Sequence, residues 1–246
     1  MIVIWYPRIV LATLSHYLLV YPLTAVGVLL GCLVALVRWS SFIRIGTVVW
    51  ANLVFLLMGR RLHVSSRPHI APGASYLVVA NHASMYDIPA LMGAVPGIAI
   101  MGRGYLTRIP GLRRLLRILH YVPIDTERPS SARAALEQAA REVREGTTVG
   151  IFPEGTRTAD GRVQELKRGF VRVLRGSGRD LLPVFIRGTF ALKPKGTLFI
   201  NPRERISVTI GAPIANGELA RLADDEIREK VRMVLQAMGG ERNEAV

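Results

Sequence analysis

The residues best suited to chemistry in this chain are a histidine and an aspartate five positions apart, in Asn81-His82-Ala83-Ser84-Met85-Tyr86-Asp87. On a continuous helix five residues turn through about 140°, so the two side chains would diverge and only a loop could bring them together. In a loop that curls back, the carboxylate would bond one imidazole nitrogen, fix the tautomer and raise the basicity of the other, as a general base requires. The competing reading is structural: a histidine packed at a strand end and an aspartate capping the next helix. A second candidate is Phe152-Pro153-Glu154-Gly155-Thr156-Arg157, where a backbone-rich turn ending in arginine suits a bidentate phosphate contact, although a plain tight turn would read the same way. A third is Gly102-Arg103-Gly104 ahead of Ile109-Pro110-Gly111, a flexible turn carrying a cation. Neither GxxxxGK[ST] nor GxGxxG occurs, which removes the common glycine-rich nucleotide cradles.

These segments need elements to position them, and each follows a short apolar run. Tyr76–Ala80, Gly97–Met101, Thr148–Phe152, Leu181–Ile186 and Ile206–Ile210 read as strands. Helical spacing begins at Ile88–Met92, covers Ser130–Arg144 and Phe170–Arg175, and returns as one amphipathic terminal helix over Glu218–Met238. Alternating strands and helices predict an α/β sandwich over residues 62–246, with no repeat, no low-complexity tract and no disordered tail beyond the last few residues.

Residues 1–61 have a different character. No charged residue lies between Arg8 and Arg38, and none between Arg44 and Arg60, so the positive mean hydropathy of +0.30 is concentrated there. As a helix, residues 9–37 would reach about 43 Å, bent at Pro22, which exceeds a bilayer core of roughly 30 Å; residues 45–59 would reach only about 22 Å. The second run is too short to cross unaided, and Arg38 and Arg44 lie between the two. A two-helix hairpin dipping into one leaflet answers both points, with two spanning helices as the alternative. A second run after the first argues for a retained anchor over a cleaved signal.

The net charge of +14 is distributed to match. No acidic residue precedes Asp87, and Arg103, Arg108, Arg113, Arg114 and Arg117 meet none until Asp125. Basic charge beside apolar anchors favours membrane phospholipid head groups as partners over nucleic acid, which needs no apolar anchor. Cys32, the only cysteine, excludes disulfides, CxxC redox chemistry and thiolate zinc sites.

Taken together, the motifs resemble the glycerolipid acyltransferase family. Asn81–Asp87 fits its NHxxxxD block, the stretch from Arg103 through Pro110 its second, Phe152–Arg157 its FPEGTR block and Leu182–Gly188 its fourth. The second block is the loose one: the family often has a basic pair followed by Glu, whereas Arg103 precedes Gly104 and Tyr105. The resemblance implies a mixed-sheet α/β acyltransferase domain behind the apolar hairpin. It implies His82 as general base oriented by Asp87, and Arg157, helped by Arg103, on the acceptor's phosphate. Glu154 would position substrate or brace the loop, and Gly155 and Thr156 would offer backbone donors to the developing oxyanion. The implied reaction moves an acyl chain from acyl-CoA or acyl carrier protein to the sn-2 hydroxyl of 1-acyl-glycerol-3-phosphate (lysophosphatidic acid), giving phosphatidic acid. An activated thioester requires neither metal nor redox cofactor. The implied location is a bacterial cytoplasmic membrane, with the catalytic domain on its cytoplasmic face. Another lysolipid acceptor, such as a lysophospholipid or an ornithine-type lysolipid, fits the motifs as well. Outside the class stand a serine hydrolase using Ser84, which lacks a GxSxG elbow, and a non-catalytic membrane scaffold.

Overall fold

A computed structural model describes residues 6–66, 69–125, 128–201, 203 and 205–240. The first apolar run is helical throughout: α1 (Tyr6–Ser15) passes through a π-helical turn (His16–Val20) into α2 (Tyr21–Leu36). The irregular turn sits just before Pro22, whose ring and missing N–H do not fit a regular ladder of helix hydrogen bonds. The chain reverses at Arg38, where φ is 55°, into α3 (Ser40–Leu57). Pro7–Leu36 and Ser40–Leu57 are both long and apolar enough to cross a membrane. The second corrects an expectation. Its 18 residues reach about 27 Å, and Arg44 lies inside the helix instead of in the connection, so the length argument against crossing loses most of its force.

The first helix is held to the rest of the molecule near both ends. Ile200 N donates to Thr13 Oγ1 at 3.0 Å, Tyr17 Oη donates to the Leu198 carbonyl at 3.1 Å, and His16 Nδ1 is hydrogen-bonded to Tyr86 Oη at 2.7 Å. At the far end Arg114 Nη2 donates to the Leu36 carbonyl at 3.1 Å, and Leu115 packs with Ala35 and Ile43. Residues Arg114 and Leu115 belong to α5 (Leu112–Ile118), well inside the α/β region.

Beyond α3 the elements run β1 (Leu62–Ser65), β2 (Leu77–Ala80), α4 (Asp87–Ala94), β3 (Ala99–Arg103), a 3₁₀ turn (Gly104–Arg108), α5 and β4 (Val122–Ile124). They continue with α6 (Pro129–Arg144), β5 (Val149–Ile151), α7 (Gly169–Ser177), β6 (Leu181–Arg187), α8 (Thr189–Leu192), β7 (Ile206–Ile210), α9 (Asn216–Leu219) and α10 (Asp224–Gly240). Among the described residues, seven strands form one sheet in the order β1-β7-β6-β2-β5-β3-β4, parallel at every pairing except β6 with β7. The mixed α/β sheet expected from the sequence is therefore present, and β6, β2, β5, β3 and β4 all send their carboxyl ends to one edge.

Side chains on β2 alternate between two cores, following the period of two of a strand. Val78 and Ala80 pack with Phe55 of α3 and with Tyr86, Ala90 and Leu91 at and within α4. Leu77 and Val79 pack on the other face, with Ala139 of α6, Phe170 of α7 and Leu235 of α10. The helix expected over 218–238 is two helices. Asp224, Asp225 and Glu226 form an acidic first turn, and Glu226 Oε2 accepts from Ala223 N at 2.7 Å, half of a capping box that starts a new helix. Strands β1 and β4 and helix α5 have no counterpart among the elements expected from the sequence.

Candidate active site

The site is assembled where β2 and β5 lie side by side and end at the same edge. Asn81 follows β2 and fastens the loop to β6: its Nδ2 donates to the Ile186 carbonyl at 2.9 Å, while Ile186 N donates to its Oδ1 at 2.7 Å. The chain then curls over Ala83–Tyr86 and enters α4 at Asp87. Asp87 is fully buried, and its Oδ2 accepts from His82 Nδ1 at 2.9 Å, Ala83 N at 2.6 Å and Ser84 N at 2.7 Å. One carboxylate oxygen thus does both things that the sequence left as alternatives: it satisfies backbone donors at the start of a helix and orients an imidazole. With Nδ1 donating to the carboxylate, Nε2 is the nitrogen left to accept a proton. The His82 side chain retains 17% exposure, so that nitrogen has a route to a substrate.

The turn after β5 clamps the same histidine from the other side. His82 N donates to Glu154 Oε1 at 2.7 Å, and Thr158 N donates to the His82 carbonyl at 2.9 Å. The Phe152 ring stacks on the imidazole, with centroids 4.2 Å apart and planes 20° from parallel. Glu154 Oε2 accepts from Gln164 N at 3.1 Å, so both carboxylate oxygens hold backbone and the residue braces two loops. Burial pushes the Glu154 carboxyl above its usual range, with the two N–H donors pulling against that shift.

The remaining predicted residues are placed less directly. Gly155 adopts φ +71°, the left-handed region that favours glycine, and a Cβ there would also displace the flexible end of Lys167. The Gly155 N–H donates to the Phe152 carbonyl at 3.1 Å, which closes the turn and takes that donor away from any oxyanion. Of the two expected backbone donors, Thr156 N–H is the one not used by such a turn bond among the described residues. Arg157 is half-buried beside Thr158, whose backbone touches His82, and has no carboxylate partner among the described residues. Arg103 ends β3, which β5 separates from β2, so it stands roughly 10 Å across the sheet from the His82 strand. It is exposed, and its carbonyl accepts from Tyr121 Oη at 3.1 Å.

Ser84 is fully buried and donates its hydroxyl to the Lys193 carbonyl at 2.8 Å, which ties up the atom that a serine hydrolase would need free. Sequence reasoning did not single out Asn81, Phe152 or Gln164 as holders of the His82 loop. Only the first two carried any signal, as neighbours inside the motif blocks.

Comparisons with known proteins point to one family. The family described as "Acyltransferase" matches residues 61–187, a little over half of the chain, from the residue before β1 to the end of β6. A 1-acyl-sn-glycerol-3-phosphate acyltransferase of Limnanthes alba is 30% identical over 176 residues, covering 69% of this chain and 62% of that one. The chain thus spans about three fifths of the length of the first plant relatives that it matches. The enzyme of that name from Bacillus subtilis is 24% identical over 180 residues, 72% of this chain and 86% of the relative. The crystal structure of the 1-acyl-sn-glycerophosphate acyltransferase PlsC from Thermotoga maritima superposes with a TM-score of 0.81 at 26% identity, covering 97% of each chain. With the matched region containing every residue that holds His82 against Asp87 and Glu154, the chain belongs to the acyltransferase family.

Proposed function

We propose that the protein acylates the sn-2 hydroxyl of 1-acyl-glycerol-3-phosphate from acyl-CoA or acyl carrier protein, producing phosphatidic acid for phospholipid synthesis. The observation that carries this reading is the His82–Asp87 pair on a loop braced by Glu154. In the reaction His82 Nε2 takes the hydroxyl proton as that oxygen attacks the thioester carbonyl. An alcohol is far too weak an acid for imidazole to ionise beforehand, so transfer and attack are concerted. Asp87 stabilises the imidazolium, which then returns the proton to the departing thiolate as the tetrahedral intermediate collapses. The test is to supply the purified protein with acyl-CoA and a panel of lysolipids and to identify products by mass. Acylation of a different lysolipid in preference would replace the acceptor and keep the chemistry.

Arg157 is proposed to hold the acceptor's phosphate through its forked guanidinium. Arg157→Lys keeps the charge and loses the fork, so it is expected to raise the acceptor KM by about tenfold while the donor KM changes little. Equal losses for both substrates in steady-state kinetics would make the arginine a brace for its turn.

For location we propose the inner face of a bacterial cytoplasmic membrane, where acyl thioesters are made, with the helices in one leaflet. The support is that α1–α2 touches the α/β region near both ends, through Thr13, His16 and Tyr17 at one and Leu36 at the other. A helix that crossed the bilayer would carry one of those ends away from a domain that stays on one side. With Cys32 replaced by serine, a cysteine at Ser40 is expected to react with an impermeant thiol reagent only from the cytoplasmic side. Labelling from the opposite side would show that the helices span.

A further inference from the structure

The loop after β6 joins both halves of the site, and none of the roles above uses its side chains. Beyond α8 it reads Lys193-Pro194-Lys195-Gly196-Thr197. At one end the Ser84 hydroxyl holds the Lys193 carbonyl at 2.8 Å, fastening that residue to the loop between His82 and Asp87. At the other, Lys195 Nζ donates to Thr156 Oγ1 at 3.4 Å, which sets a second ammonium on the turn that carries Glu154 and Arg157. Lys193 is only 9% exposed, and its ammonium donates to the Thr197 carbonyl, a neutral partner.

What the cations at this rim lack is a paired carboxylate. Elsewhere in the domain Arg168, Arg175, Arg228, Lys230 and Arg232 each pair with an aspartate or glutamate. Among the described residues Arg157, Lys193 and Lys195 pair with none. Glu154, the buried carboxylate on the same turn, already accepts backbone N–H at both oxygens. Burial, and to a lesser degree the positive charge of Arg157, hold the Lys193 ammonium below its usual range, which places the two cations within electrostatic reach of each other. Cations arranged this way at the mouth of a site are relieved by a multiply charged anion, and a phosphomonoester near neutral pH carries about −1.5 to −2.

We propose that Lys193 and Lys195 join Arg157 in a three-cation seat for the acceptor's phosphomonoester, with the loop after β6 closing the site opposite the turn after β5. The inference rests on the acyl-transfer reading above and deepens it. The phosphates of a CoA donor share the same chemistry, so the test separates the two sources.

Full-length Lys195→Gln and Lys193→Gln are compared with wild type on 1-acyl-glycerol-3-phosphate, with acyl-CoA and with acyl-pantetheine, which lacks the nucleotide phosphates. Each variant is expected to raise the acceptor KM by about ten- to hundredfold, the weight of one charge-assisted hydrogen bond, with kcat and the donor KM within about twofold. The effect should persist with acyl-pantetheine, and Lys195→Arg should restore most of the loss. Lys193 is buried and its variant is the one at risk of misfolding; exposed Lys195 carries the test alone if that happens. An unchanged acceptor KM, or a rise confined to the KM for acyl-CoA, overturns the proposal. A wild type that acylates no phosphomonoester acceptor overturns the proposed function with it, whereas a competent wild type beside unaffected variants overturns the seat alone.

Discussion

His82→Ala is expected to lower kcat by about 10²- to 10⁴-fold while leaving the protein folded, because it removes the group proposed to accept the hydroxyl proton. The change is local. The backbone N–H of residue 82 still has Glu154 Oε1 to donate to, and its carbonyl still has Thr158 N, so both clamps on the loop survive. Asp87 loses one of its three donors and keeps Ala83 N and Ser84 N, which limits the stability cost to about 1–3 kcal/mol. Steady-state turnover on the lysolipid and thioester, beside a thermal melt of the same sample, separates lost chemistry from lost fold. Near wild-type turnover in a folded variant would remove His82 from the mechanism.

The second large effect is expected from Asp87→Asn. An asparagine is nearly the same size, and its single carbonyl oxygen can stand where Oδ2 stands, accepting from His82 Nδ1 and the two backbone N–H groups. What it cannot supply is the negative charge that, on the proposed mechanism, steadies the imidazolium formed as the hydroxyl attacks. The fall in kcat should again be on the order of 10²- to 10⁴-fold, with acceptor and donor KM little changed because Asp87 is fully buried behind His82. A loss seen mainly in KM, or as a lower melting temperature without a kcat effect, would make Asp87 a helix-capping residue only.

Much of this arrangement is legible in the sequence, and the exceptions have physical causes. The five expected strands are short apolar runs bounded by proline, glycine, polar or charged residues, a strong local signal. Strand β4 escapes because Pro123 interrupts its three residues, and proline argues against a strand except at an edge, which is where β4 lies. Strand β1 is the opposite edge, only half-buried, so its four residues carry no clear apolar run. Helix α3 starts ahead of its apolar run because Arg44, which in sequence resembles the end of a charged connection, lies within the helix. At the site, residue type and spacing point to His82 and Asp87, and the structure brings them together. The partner of Glu154 is not legible, since a carboxylate that holds backbone looks the same in sequence as one that holds substrate. Lys193 and Lys195 escape for a related reason: two lysines on a loop suggest solvent, and only the Ser84 and Thr156 contacts bring that loop to the site.

The hydrogen bond between His16 and Tyr86 ties a π-helical turn of the first apolar helix to the residue directly before Asp87. On the one-leaflet reading, this sets the altitude of the reacting atoms. A flexible tether would let the enzyme bob above the bilayer and meet its lipid from many depths; a helix fastened near both ends holds the loop at one height. On the proposed function the search for acceptor then becomes lateral, over a plane instead of through a volume, and each lysolipid would arrive with its head group already level with His82.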